Sequence, residues 1–312
     1  MRWSVLPVTA VLAVLVVAAA AGPSAAAPGN GGISGVVRNA TTTQVMANQA
    51  VSLVFVGTQG PEQVAEGRTD TKGRVAFRGL SDGRYLVQTT HQAVSYAAHA
   101  VVSGGATVEL VVKVYDVSAS VALRVALLGM AIDVQPGYVR ISEVVHLQNG
   151  TSQTFLGNIA FPLPRGARFI TFHEGLHRPA VQGDRITDRL IVRPGSHQAA
   201  YAYTLAGEGE IVLDRQIPLP VERLELFATA PAEVRSPRLE PAPTVTEEGR
   251  TYTRASGRSV PAGLLPMTIA GVPAVRLWPA PAAAGTLAAL LVVGLGWAVL
   301  ASGREEATRR GG

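Results

Sequence analysis

Cysteine is absent from all 312 residues. Disulfides, a thiol nucleophile, Cys-ligated zinc or copper, iron–sulfur clusters, covalently attached haem and a lipid-modified cysteine all need that sulfur and are excluded with it. Lysine is nearly absent too: Lys72 and Lys113 are the only ones, and every other basic side chain is Arg. With abundant Ala, Gly, Pro and Val, this bias points to a bacterium with a GC-rich genome. The 27 basic residues exceed the 22 acidic ones but form no run, so a pI near 9.9 does not signify a nucleic-acid stripe. Tryptophan is confined to Trp3, Trp278 and Trp297, all near the chain ends. Between those ends no helical period emerges, and there is no P-loop or dinucleotide fingerprint.

Two apolar runs are present. Met1-Arg2-Trp3-Ser4 leads into apolar residues 5–21, then Gly22-Pro23-Ser24 and three alanines. A charged start, an apolar middle, a helix breaker and small residues make residues 1–26 a secretory signal peptide, cut after Ala25 or Ala26. The second run, residues 280–301, holds no charge. At about 1.5 Å per helical residue it crosses a hydrocarbon core of about 30 Å. Arg276 and Trp278 precede it, and Arg304, Arg309 and Arg310 follow it. The expectation is a single-pass membrane protein, with an N-terminal ectodomain in the periplasm or outside the cell and residues 302–312 in the cytoplasm. Residues 260–279, rich in Pro and small residues, read as a stalk.

From residue 31 to 116, short β-type runs alternate with turn chemistry. Residues 33–38, 50–56, 74–78, 84–90 and 107–115 are the runs, with Asp70-Thr71-Lys72-Gly73 and Ser81-Asp82-Gly83 between them. Ile33-Ser34-Gly35-Val36-Val37, Ala50-Val51-Ser52-Leu53, Thr69-Asp70-Thr71-Lys72-Gly73-Arg74-Val75-Ala76-Phe77 and Leu80-Ser81-Asp82-Gly83-Arg84-Tyr85-Leu86-Val87 together resemble the carboxypeptidase regulatory-like domain. The resemblance implies a transthyretin-like sandwich of about seven strands that catalyses nothing. It makes Gly35, Asp70, Gly73, Phe77, Gly83 and Tyr85 residues of the fold: Gly73 and Gly83 in turn conformations, Tyr85 with its ring on the core. The superfamily's starch-binding relatives also put polysaccharide among the ligands to consider.

Residues 117–259 repeat the β texture and suit a second sandwich of immunoglobulin-like or related type. Over residues 138–147, Val139, Ile141, Val145 and Leu147 share one face with Glu143, the single residue that breaks it, while Arg140, Ser142 and His146 take the other. Further runs fall at residues 167–172, 185–192, 197–205, 210–217 and 224–229, and Glu247-Glu248-Gly249 reads as a hairpin turn. The fold class is therefore all-β: two tandem sandwiches followed by one C-terminal transmembrane helix.

Two stretches match catalytic patterns. His173-Glu174-Gly175-Leu176-His177 spells the zinc-peptidase H-E-x-x-H, whose chemistry needs a helix so that both His rings point one way. A strand-like lead-in, Gly175 inside the motif and Pro179 after it leave no room for that helix. The expectation is therefore no metal site, with His173, His177 and His197 the only candidates should one sandwich end take up copper or zinc. Gly79-Leu80-Ser81-Asp82-Gly83 spells the hydrolase elbow G-x-S-x-G, but in a hairpin turn without α/β alternation to host it. Asp184, Asp188, Glu208 and Glu210 read as a solvated face.

The resulting expectation is a membrane-anchored, extracytoplasmic binding or scaffolding protein of a bacterial cell envelope. It has no catalytic residues and no cofactor, and its partner is another envelope or membrane protein. A carbohydrate-binding module stacking sugars on Tyr96, Tyr138 or Tyr201 is the alternative, and a zinc peptidase through Glu174 is the third reading.

Overall fold

The computed structural model describes residues 29–275. The expected signal peptide, membrane helix and tail lie outside the described residues. The described chain is all-β, with no helix, and forms five sheets.

Seven strands come first: β1 (Gly31–Asn39), β2 (Ala50–Gly57), β3 (Gly60–Arg68), β4 (Arg74–Leu80), β5 (Gly83–His91), β6 (Val94–Val102) and β7 (Thr107–Val114). They make a three-stranded sheet, β4-β1-β7, and a four-stranded sheet, β3-β2-β5-β6. Ile33 and Val37 of β1, Val51 and Leu53 of β2, and Val112 and Val114 of β7 alternate into one apolar cluster with Phe77, Tyr85 and Val87. Gly73 adopts φ 71°, a conformation costly for a residue with a side chain, and the Asp70 carboxylate closes the same turn by accepting the backbone N–H groups of Lys72 and Arg74, each at 2.8 Å. The Tyr85 ring is buried and its hydroxyl donates to the Ser81 carbonyl at 2.9 Å. Gly83 differs from the expected turn residue: it opens β5, and an added Cβ there would strike the Phe55 ring, which packs tilted against Tyr85 with ring centroids 5.3 Å apart. Gly35 sits mid-strand in β1, between Val75 and Leu110.

The remaining strands are β8 (Val117–Ser118), β9 (Leu123–Gln135), β10 (Tyr138–Asn149), β11 (Thr154–Pro162), β12 (Arg168–Phe172), β13 (Ala180–Gln182), β14 (Arg185–Val192), β15 (Gly195–Ala206), β16 (Gly209–Ile217), β17 (Val221–Thr229), β18 (Glu233–Arg235), β19 (Glu240–Glu247), β20 (Arg250–Val260) and β21 (Gly263–Val272). A seven-stranded sheet, β12-β15-β10-β9-β17-β20-β19, shares one apolar cluster with two smaller sheets, β13-β14-β11-β8 and β16-β21-β18. This is sandwich-like layering.

One boundary needs correction. Residues 260–279 are not a stalk throughout, because β21 is the central strand of its sheet, paired with β16 and β18, and Leu265, Met267 and Ile269 are buried in the larger cluster. Their alternation is plain, but Pro266 and the flanking Pro residues conceal it. Pro266 lies outside residues 268–270, the stretch of β21 that is paired with β18 as well as β16, so it stands where one side of the strand has no ladder partner.

The two cores meet across a hydrogen-bonded seam. The Tyr96 hydroxyl donates to the Tyr115 carbonyl at 3.0 Å and bonds the Thr154 hydroxyl at 2.9 Å. Arg193 stacks on the Tyr96 ring at 5.5 Å and donates to the Ser95 carbonyl at 2.6 Å. Asp116 accepts from Asn39 at 2.7 Å and pairs with His91 at 3.0 Å. Leu156 and Ile191 from beyond the seam pack on the first core.

Candidate functional site: an apolar cleft over a buried charge cluster

Glu143, which breaks the apolar face of β10, is wholly buried, and so is Arg215, in the apolar phase of β16. They meet as a fork. Arg215 Nε donates to Glu143 Oε1 at 2.9 Å and Nη2 to Oε2 at 2.7 Å, the bidentate geometry in which guanidinium and carboxylate bind best. The remaining carboxylate lone pairs accept the Tyr203 and Tyr201 hydroxyls, each at 2.7 Å. Arg215 Nη1 donates to the Pro162 carbonyl at 2.7 Å and to Gln216. Every member is satisfied, as a buried charge requires.

Burial works against the charge of Arg215, but the Glu143 carboxylate beside it prevails and pushes its pKa up, so the guanidinium stays charged. Burial first, and then the Glu143 charge, raises both tyrosines well above their usual value. At neutral pH they are locked as phenol donors. The cluster joins β10 and β15 of the large sheet to β16 and to the end of β11, and so pins three sheets at one point.

Above it lies a cleft of about 440 Å³, within the range of small-ligand pockets. Val121, Leu123 and Val125 entering β9, Val145 and Leu147 of β10, Phe155, Ile159 and Phe161 of β11, Ile217 at the end of β16, and Pro218 and Leu219 after it line it, with Arg215 at its base. The walls are almost entirely apolar, and the one charged group is already engaged. The arrangement suits an apolar guest held by burial and contains no free acid, base or nucleophile. The sequence contained half a signal for it: an Arg in the apolar phase of one strand and a Glu in that of another. The walls come from four separate stretches and could not be assembled from spacing.

The H-E-x-x-H stretch is a turn between β12 and β13. His173 N donates to the Ala200 carbonyl at 2.9 Å, and Ala200 N donates to the Glu174 carbonyl at 3.0 Å, so the motif starts as an extension of the β12–β15 ladder. His197 bonds the Gly175 carbonyl at 2.9 Å, and burial lowers its pKa. His173 and His177 are exposed. Among the described residues no three His, Cys, Asp or Glu side chains are grouped to hold a metal ion.

Asp188 corrects the reading of a solvated face: it is buried, and its carboxylate accepts the backbone N–H groups of His177 and Arg178, both at 2.8 Å, which fastens this loop to β14. Of the three tyrosines considered for stacking on sugars, Tyr96 and Tyr201 are buried and engaged, and Tyr138 alone is exposed.

No protein-family profile matches the sequence, and no curated protein matches it. Among solved structures, an M1 zinc metallopeptidase from Deinococcus radiodurans resembles the chain with a TM-score of 0.32 at 12% identity, over 47% of this chain and 42% of that one. A mutant of a two-domain M1 zinc metallopeptidase bound to L-tryptophan gives 0.33 at 12% identity over the same shares. The chain thus spans less than half the length of these neighbours.

Proposed function

We propose that the protein is a non-catalytic, membrane-anchored binding or scaffolding protein of a bacterial cell envelope, and that the cleft beside Arg215 receives an apolar segment of an envelope or membrane protein. In this reading β1–β7 form a module of the carboxypeptidase regulatory-like type, the remaining strands form a second sandwich, and residues 280–301 span the membrane once. The ectodomain then stands in the periplasm or outside the cell, with the C-terminus in the cytoplasm.

The observation that carries the reading is the cleft: open, apolar, and built over a cluster that fixes its walls. A rigid apolar recess loses little entropy when it takes up a guest, which is how a modest pocket supports specific binding. The apolar runs at the two ends of the sequence support its placement in the envelope.

The test is co-purification of full-length tagged protein in mild detergent, compared with Leu219→Glu. Leu219 is half-buried on the turn between β16 and β17, so a charge there spoils the cleft mouth at small cost to the core. A stoichiometric membrane partner that is lost in the variant supports the proposal. A partner retained unchanged removes the cleft from it.

A further inference from the structure

The chain leaves the described residues at one end of the seven-stranded sheet. Gly137 N donates to the Pro273 carbonyl at 2.8 Å and Val275 N to Glu208 Oε1 at 3.1 Å, so the exit lies against the β9–β10 and β15–β16 turns. Ala280, where the apolar run begins, is five positions past Val275. Even a fully extended chain covers at most about 3.6 Å per residue, so the run starts within roughly 18 Å of this end.

β12 begins at the same end, on the outer edge of the sheet. Arg168 pairs with Thr204, which pairs with Arg140, two residues in from the terminal pair Tyr138 and Ala206. That is about 7 Å along the strands. There the ladder slips: Thr171 is the next paired residue, opposite Ala202, so Phe169 and Ile170 together face Tyr203. Phe169 takes φ 49°, a left-handed conformation that strains a residue with a ring, and its side chain is 80% exposed, more than any other large apolar side chain among the described residues.

Strain and exposure are both unfavourable for the isolated fold. They make sense together when the ring has a use outside it. Arg165 and Arg168, both exposed, precede Phe169 in the chain, and Arg140 reaches Thr171 Oγ1 at 3.4 Å. Arg185 opens β14 and pairs with Asp184 of the β13–β14 turn at 3.1 Å. The acidic Glu247 and Glu248 belong to the turn at the opposite edge of the sheet, between β19 and β20. At this end of the sheet the β12 side carries Phe169 with Arg165 and Arg168, the β15–β16 turn carries Glu208, and the β19–β20 hairpin carries Glu247 and Glu248 with Arg250.

We propose that the β12 edge is a membrane-contact site: Phe169 enters the headgroup region of the bilayer that holds residues 280–301, and Arg165 and Arg168 lie on lipid phosphates. The proposal rests on the single-span reading above. One ring and two arginines would hold a free protein weakly, but the anchor makes the contact intramolecular and raises its effective concentration. The contact would orient the ectodomain on the membrane rather than tether it.

The chain's lack of cysteine allows a direct test. Full-length protein carrying a single cysteine, labelled with a polarity-sensitive nitrobenzoxadiazole dye, is reconstituted in vesicles of equal parts phosphatidylglycerol and phosphatidylethanolamine. Quenching by a headgroup-region nitroxide lipid is compared with quenching by aqueous iodide. The sites are Phe169→Cys, Ala167→Cys (which keeps the ring), Leu290→Cys in the apolar run, and Ser152→Cys at the far end of the sheet. The expected result is lipid quenching at Leu290, iodide quenching at Ser152, and at Ala167 and Phe169 at least twofold more lipid quenching than at Ser152. That gain should be lost when Arg165→Glu and Arg168→Glu are added. A Leu290 dye in lipid with the β12 dyes behaving like Ser152 would overturn the contact and leave the anchor standing. A Leu290 dye open to iodide would overturn the anchor and the contact together.

Discussion

Replacing Arg215 with Met tests whether the buried cluster is the fastener that joins the three sheets. Methionine keeps much of the aliphatic volume but removes both arms of the fork to Glu143, at 2.9 and 2.7 Å, and the donor to the Pro162 carbonyl. Glu143 then remains wholly buried with two tyrosine hydroxyls and no countercharge. Removing one partner of a buried, hydrogen-bonded ion pair costs about 3–5 kcal/mol. For a body of this size, about 2–4 °C of melting temperature goes with each kcal/mol, so a drop of roughly 6–20 °C is expected. Melting followed by circular dichroism at the β-sheet band reads it. A companion variant, Glu143→Leu with Arg215→Met, Tyr201→Phe and Tyr203→Phe, removes the whole polar set. Because burying both charges was itself unfavourable, it should recover to within about 2 kcal/mol of the wild type. A single Arg215→Met that melts within about 2 °C of the wild type would refute the reasoning, since a buried carboxylate would then have lost its countercharge at no cost.

Three further outcomes can be checked. Ending the chain at residue 262 removes β21 and exposes the faces that Leu265, Met267 and Ile269 cover, so it should give an aggregating product, whereas ending at residue 275 should give a cooperative melt; size-exclusion chromatography separates them. Leu265→Ala, at a fully buried site, should cost about 2–5 kcal/mol by denaturant titration, through lost burial and the cavity left behind. Acid should loosen the seam between the cores: hydrogen bonds from His91 first, and then Asn39, hold the Asp116 carboxyl below its usual range. Because its folded pKa is depressed, its contribution is complete above the unfolded value of about 3.9 and is lost as pH falls through the lower folded value. Asp116→Asn should flatten that part of the pH–stability curve.

The all-β class was legible because alternation at β10, β14 and β16 is clean and turn residues punctuate the runs. Strands with weaker alternation were not. β3 is almost wholly exposed, so it carries no apolar phase to detect, and β9 is apolar on nearly every residue from Val125 to Ile132, so it shows no period. β21 was masked by its prolines. Glu143 was visible as an anomaly in an apolar phase, but its partner Arg215 lies 72 positions away, and only the pairing of sheets brings them together. Asp188 was misread for a related reason: its partners are backbone N–H groups, which leave no trace in a side-chain pattern.

The central position of β21 also bears on the order of synthesis. β16 and β18 do not pair with each other as strands; the only strand each pairs with is β21, and Gly209 pairs with Val272 at the far end of the described chain. In a chain made from its N-terminus, both strands must wait unpaired until nearly everything before residue 276 has emerged. Until then the unpaired edge of β16, with Ile211, Leu213 and Ile217 in its apolar phase, stands open to any neighbouring chain, so cells short of holding chaperones should accumulate this protein as aggregate while its finished form stays stable.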